Sequence, residues 1–194
     1  MKELVSSGKI DEAVAKIVKE EKRDTIKEKE EIAALLHSSE PKKWDLAARI
    51  LDEFPDSREA RFYQALAYLY WGVSQFNRAI EIAEKGLEYA SKVEDRKISE
   101  TLQNSLAYYY ADGDRNDKEI EARQYASAAL KTESDAALDT YGFVLICFGK
   151  TTEEVLKGVD FCKQALEKGA PFKFFSKHVQ KAEARLKALS NKAF

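Results

Sequence analysis

Large and tiny apolar residues recur along the chain in a fixed order. Leu66-Ala67-Tyr68-Leu69-Tyr70, Leu106-Ala107-Tyr108-Tyr109-Tyr110 and Tyr141-Gly142-Phe143-Val144-Leu145 each place a large residue, a tiny one, an aromatic, and another large residue three after the tiny one. Each is followed by a loop and a second segment with small residues three or four apart: Ala79/Ala83/Gly86, Ala122/Ala126/Ala129 and Gly158/Cys162/Ala165. That spacing gathers the small residues on one face of a helix. No window alternates apolar and polar residues with period two, so the chain reads as all-α.

The pattern predicts helices over 9–21, 24–38, 41–54, 57–73, 75–91, 96–111, 117–131, 134–149, 151–168 and 171–190. Pro41, Pro55 and Pro171 all fall where a helix begins or ends, as a residue without an N–H must. Asp56-Ser57 and Ser134-Asp135 read as helix starts, and Thr151 to Glu154 as a capping box. Gly149 and Gly169 read as stops.

Taking Ala33, Ala67, Ala107 and Gly142 as equivalent gives steps of 34, 40 and 35 residues. Helix pairs repeated at such a period are the mark of an α-solenoid, which usually works by holding another chain. The chain resembles the tetratricopeptide repeat (TPR) family, whose period is about 34 residues. The resemblance rests on Leu66-Ala67…Tyr70…Ala79, with Phe76 and Leu87, and on Leu106-Ala107…Tyr110 and Tyr141-Gly142…Leu145 in phase with it. Ala122 and Gly158 come three and four residues late, and Ile32-Ala33…Leu36…Ala47 is a weaker first unit.

The fold this implies is a right-handed α-solenoid of TPR-like helix-turn-helix repeats in a single domain over 1–194. Residues 1–22 would form an N-terminal half repeat, opened by Gly8-Lys9-Ile10-Asp11-Glu12-Ala13. Helix pairs would span 24–55, 57–91, 96–131 and 134–168. Ala67 and Ala79, like Gly142 and Gly158, would be small because two helices cross closely there. Tyr70, Tyr110 and Leu145 would fill the space between neighbouring pairs.

Residues 171–194 form a basic capping helix in this reading. They carry six basic residues against Glu183, a net +5 in a chain whose total is −2, which leaves −7 elsewhere. Phe174, Phe175, Val179, Ala182, Leu186 and Leu189 give the segment one apolar stripe. The alternative is a basic amphipathic surface for an acidic partner or lipid head groups.

Overall composition is that of a water-facing helical protein, with 34% charged and 44% hydrophobic residues. The net charge supplies no basic field for nucleic acid, and no apolar run reaches the roughly 18–20 residues a bilayer span requires. No nucleic-acid partner and no membrane insertion are therefore expected. The first residues lack a signal-peptide stretch, and Cys147 and Cys162 lack the spacing of a disulfide framework, so a reducing cytoplasm is the expected compartment.

In a TPR array the first helices of successive pairs line a concave groove. The resemblance puts Tyr68, Tyr108 and Phe143 there as an aromatic row, with Gln64, Asn104 and Asp139 beside them. Arg61 and Trp71 extend that face in one unit, Thr101 and Asp112 in the next. Such a channel suits a protein or peptide segment with apolar anchors, and Asp112 and Asp139 suggest one with basic residues. The alternative is that the aromatics pack internally against the last helices. The carboxylate clamp by which some TPR proteins hold chaperone tails needs Lys or Asn at these places, and of them Asn104 alone is compatible.

No catalytic, metal or cofactor site is expected. Asp112-Gly113-Asp114-Arg115-Asn116-Asp117 begins like a calcium loop, but an EF-hand needs Gly sixth and Glu twelfth, where Asp117 and Arg123 stand. It reads as an inter-helix loop, with Gly113 at positive φ and Asn116 or Asp117 as N-cap. His37 and His178 read as helix-end and surface packing, and Cys147 as a residue facing the groove.

The expected function is a non-enzymatic adaptor or scaffold that binds a protein segment in the groove. The alternatives are a self-associating module, and hence a homo-oligomer, or a regulatory domain of a larger enzyme or transcription regulator.

Overall fold

The computed structural model describes Ile32 and residues 34–36, 41–53 and 59–191. The predicted helix 9–21, the half repeat 1–22, Ala33 and His37 lie outside the described residues. Those described are all-helical, in the order α1 (Pro41–Glu53), α2 (Ala60–Gly72), α3 (Phe76–Lys92), α4 (Arg96–Asp112), α5 (Glu119–Ala129), α6 (Asp135–Phe148), α7 (Thr152–Glu167) and α8 (Phe172–Ser190), with single 3-10 turns at Asn116–Lys118 and Leu130–Thr132. The chain forms two compact units, residues 1–98 and 99–194.

In the first unit α2 packs on α3 and α1 packs on α2. Ala67, Ala79 and Ala83 are buried, as expected of small residues between two helices of a pair. Trp44, Leu46, Ile50 and Leu51 bury one face of α1. Tyr70 stands edge-on to Trp44, with ring centroids 5.9 Å apart, and its hydroxyl donates to Asp45 Oδ1 at 2.5 Å.

In the second unit α6 is buried along almost its whole length, from Ala137 to Phe148, and α5, α7 and α8 pack on it. An apolar helix with no polar stripe can be stable only when wrapped in this way. The α6–α7 crossing is closest at the two glycines. A Cβ on Gly142 would lie 2.6 Å from the Gly158 carbonyl oxygen, and one on Gly158 would lie 2.6 Å from the Gly142 oxygen. Ile146, Val155, Cys162 and Ala182 form a core that Phe175, Leu186 and Leu189 of α8 cover.

The helix ends follow local rules. Ser134 and Thr151 accept hydrogen bonds from the N–H groups of Ala137 and Glu154, as N-caps should. Glu154 completes the box one residue early, accepting from the Lys150 N–H at 2.8 Å. At the other ends, the N–H groups of Gln75, Asp95, Arg115 and Ala170 reach back to the carbonyls of Tyr70, Ala90, Tyr110 and Ala165. That bond defines the Schellman turn and requires a left-handed residue just before it. Ser74, Glu94, Asp114 and Gly169 take that conformation.

The loop after α4 corrects two expectations. Positive φ falls on Asp114 and not on Gly113, because the turn counts from its hydrogen bond and Gly113 still belongs to the last helical turn. Asn116 and Asp117 do not cap α5 with their side chains; Asp117 pairs instead with Arg115 at 2.7 Å.

Glu94 carries a Cβ where glycine would be unstrained, at φ 56°. Glu94→Gly is expected to raise stability by about 0.5–1 kcal/mol, the left-handed penalty exceeding the glycine entropy cost. Urea denaturation checks this, and a lower midpoint would contradict it.

Candidate functional site

On the first unit, Arg61, Gln64, Tyr68 and Trp71 recur every three or four residues along α2, opposite buried Leu66, Ala67 and Tyr70. Tyr68 is 59% exposed. Its ring lies 5.7 Å from that of Trp71, which is half-buried and so held in place on one side. Arg61 is exposed and pairs with Glu59, and Gln64 is half-buried. The face presents a large aromatic, an indole, an amide and a guanidinium in one strip.

On the second unit the predicted residues come together but point inward. Tyr108 is 9% exposed and Phe143 is fully buried. Their rings stack at 4.8 Å, and the His178 ring stacks on Phe143 at 4.2 Å. Tyr108 and Phe143 therefore do not line an open groove; the C-terminal helix α8 lies against them through His178. This is the internal packing left open as the alternative. Asn104 is half-buried, and its side-chain oxygen accepts no hydrogen bond among the described residues.

The acidic residues are answered from within the same unit. Lys177 of α8 donates to both oxygens of Asp112, at 2.7 and 2.8 Å, and Lys181 donates to Asp114 at 2.8 Å. Arg185 forks onto the Gly149 carbonyl at 2.9 and 2.8 Å. Asp112 is not free to attract a basic ligand, Asp139 is buried, and much of the α8 positive charge is spent on docking the helix.

His178 corrects a further expectation, for it is fully buried and not a surface residue. Its Nε2 lies 2.8 Å from the Tyr108 hydroxyl. Its Nδ1 lies 3.1 Å from Asp139 Oδ1, but out of line for a ring N–H hydrogen bond, and Nδ1 has no hydrogen-bond partner among the described residues. Cys162 completes the cluster from α7, its thiol 3.8 Å from the Asp139 carbonyl oxygen. The histidine nitrogen that would activate a cysteine nucleophile is here occupied by Tyr108 or turned to Asp139. Sequence reasoning missed this cluster, since its three members sit on three helices.

Burial also governs the thiols. It pushes the Cys147 thiol from 9.0 up to about 12, with Lys181 opposing, and raises that of Cys162. Cys147 is thus a buried hydrophobe and not a reactive groove residue. A water-soluble disulfide reagent is expected to label neither cysteine of the native chain at neutral pH and both after unfolding. A thiol raised on folding stabilises below its unfolded pKa, so the Cys147 contribution is lost as pH rises from about 9 towards 12. Rapid labelling of native Cys147 would contradict the packing.

An open depression of about 550 Å³ lies between α5 and α6, lined by Arg123, Gln124, Lys131, Tyr141 and Leu145. Its guanidinium is already engaged, Arg123 donating to Glu119, Glu154 and the Phe148 carbonyl. Among the described residues no helix is long and apolar enough to cross a membrane.

No protein-family model, curated protein or solved structure matches the chain.

Proposed function

We propose that this protein is a non-enzymatic adaptor or scaffold of TPR-like helix pairs, stacked as a right-handed solenoid, that binds a segment of another protein. The observation that carries the reading is Tyr68, a large aromatic standing 59% exposed beside Trp71 on the first helix of a pair. An amphipathic aromatic held against a half-buried indole loses little entropy on binding and offers both ring contact and a hydroxyl. Arg61 and Gln64 on the same strip would hold the backbone or an acid of the bound segment. The α2 face, and not the Tyr108 and Phe143 end, is the binding surface in this proposal.

The test is a pull-down from a lysate of the source cell, read by mass spectrometry, with wild type beside Tyr68→Ala. Tyr68 is exposed, so the variant should fold as wild type does. A partner held by wild type should bind the variant about 30-fold more weakly, the equivalent of about 2 kcal/mol. Equal retention would remove Tyr68 from the interface, and capture of the chain by itself alone would make it a self-associating module.

A further inference from the structure

We propose that Asp139, Cys162 and His178 form a binding site for one divalent zinc-type ion, which fastens α8 to α6 and α7. All three are buried, and one ligand atom from each lies within 4.8 Å of the others.

Three observations point to an ion and not to packing alone. The first is the imidazole. His178 is fully buried, yet Nδ1 has no hydrogen-bond partner among the described residues although a carboxylate oxygen is 3.1 Å away. A buried ring nitrogen left unbonded is costly, and a metal is the partner that accepts its lone pair.

The second is the far side of the ring. The Tyr108 hydroxyl sits 2.8 Å from Nε2. A histidine that ligates through one nitrogen normally donates its other N–H to an oxygen, which fixes tautomer and ring orientation. Tyr108 fills that place, and stacking on Phe143 at 4.2 Å holds the ring plane.

The third is charge and geometry. Zinc–nitrogen and zinc–oxygen bonds of about 2.0–2.2 Å put two tetrahedral ligands about 3.4 Å apart, close to the 3.1 Å between Nδ1 and Oδ1. The sulfur needs to close to about 3.6 Å from a present separation of no more than 4.8 Å, an adjustment of up to about 1.2 Å. One thiolate and one carboxylate neutralise a divalent ion, so the loaded site carries no net charge into the core; the thiol proton leaves to solvent as the Zn–S bond forms. Sulfur, imidazole and carboxylate together favour zinc over the harder calcium and magnesium. The second carboxylate oxygen or a water takes the fourth position.

Gly142 makes the sulfur position available. A Cβ there would stand 2.7 Å from Cys162 Sγ.

The test uses the full chain, freed of metal with a chelator and carrying no histidine tag. Titration with zinc chloride against a chromogenic chelator should show uptake of one ion per chain and a rise in melting temperature of several degrees. Cobalt chloride should give a thiolate-to-cobalt charge-transfer band in wild type and in Cys147→Ala, and none in Cys162→Ala. X-ray absorption of the zinc-loaded wild type needs no variant. It should show one sulfur at about 2.3 Å with nitrogen or oxygen ligands at about 2.0 Å. Failure of wild type to take up stoichiometric zinc, a sulfur-free shell, or a cobalt band that survives in Cys162→Ala would each overturn the proposal.

Discussion

Gly142→Ala is expected to destabilise the second unit by about 3 kcal/mol, against the usual rule that alanine improves a helix. The propensity gain is about 1 kcal/mol. Opposing it, the new methyl would meet the Gly158 carbonyl at 2.6 Å, Cys162 Sγ at 2.7 Å and the Cys162 backbone nitrogen at 2.9 Å. Two of those neighbours are backbone atoms of a facing helix, so no side-chain rotation relieves the overlap; α6 and α7 must move apart. Separation would thin the contacts of Ile146, Val155 and Cys162, which are fully or almost fully buried. Gly158→Ala should cost a similar amount, since its methyl would meet the Gly142 carbonyl at 2.6 Å. The two losses should not add, because one widening accommodates both methyls. Chemical denaturation of the three variants decides the matter, and a Gly142→Ala protein as stable as wild type would contradict the crossing geometry.

His178→Ala is the second large effect, an expected loss of about 3–5 kcal/mol measured in chelator. The ring is fully buried, stacks on Phe143 and meets the Tyr108 hydroxyl at 2.8 Å. Its removal opens a cavity and leaves both that hydroxyl and the Asp139 carboxylate without their neighbour. His178→Phe separates these contributions. It keeps the stacked ring but strands the carboxylate, and should recover only part of the loss. Adding Asp139→Leu to His178→Phe removes the stranded carboxylate and should recover more, because a buried polar group left without a partner is costly and an apolar side chain of similar size is not. Double-mutant analysis at neutral pH measures this coupling; strictly additive effects would mean that Asp139 and His178 do not interact.

The helices were legible because each carries its own punctuation. Thr151 with Glu154, Ser134, Pro171 and Gly169 mark ends through local hydrogen bonds, and α6, α7 and α8 start and stop within a residue or two of the pattern. The α6–α7 crossing was legible too, since only a pair of very small residues lets two backbones approach, and Gly142 and Gly158 are spaced for it. What was not legible depends on docking. Tyr108 and Phe143 share a face with each other as the repeat pattern requires, but whether that face meets water is decided by α8, whose position no periodicity specifies. Burial of His178 follows from the same event. A histidine among lysines reads as surface until Lys177 and Lys181 are seen turned to Asp112 and Asp114 while the imidazole stacks on Phe143. Asp114 in place of Gly113 shows a smaller limit: composition names the residue best suited to a left-handed turn, while the hydrogen bond names the one that must adopt it.

The most direct test of the adaptor reading is site-specific photo-crosslinking in the source cell. A photoreactive residue placed at Tyr68 is compared with one at Leu156, an exposed apolar residue of α7 away from the α2 strip in sequence. The account predicts a discrete adduct with another protein from position 68 and none from position 156. Adducts from 156 alone, or the same adducts from both, would contradict it.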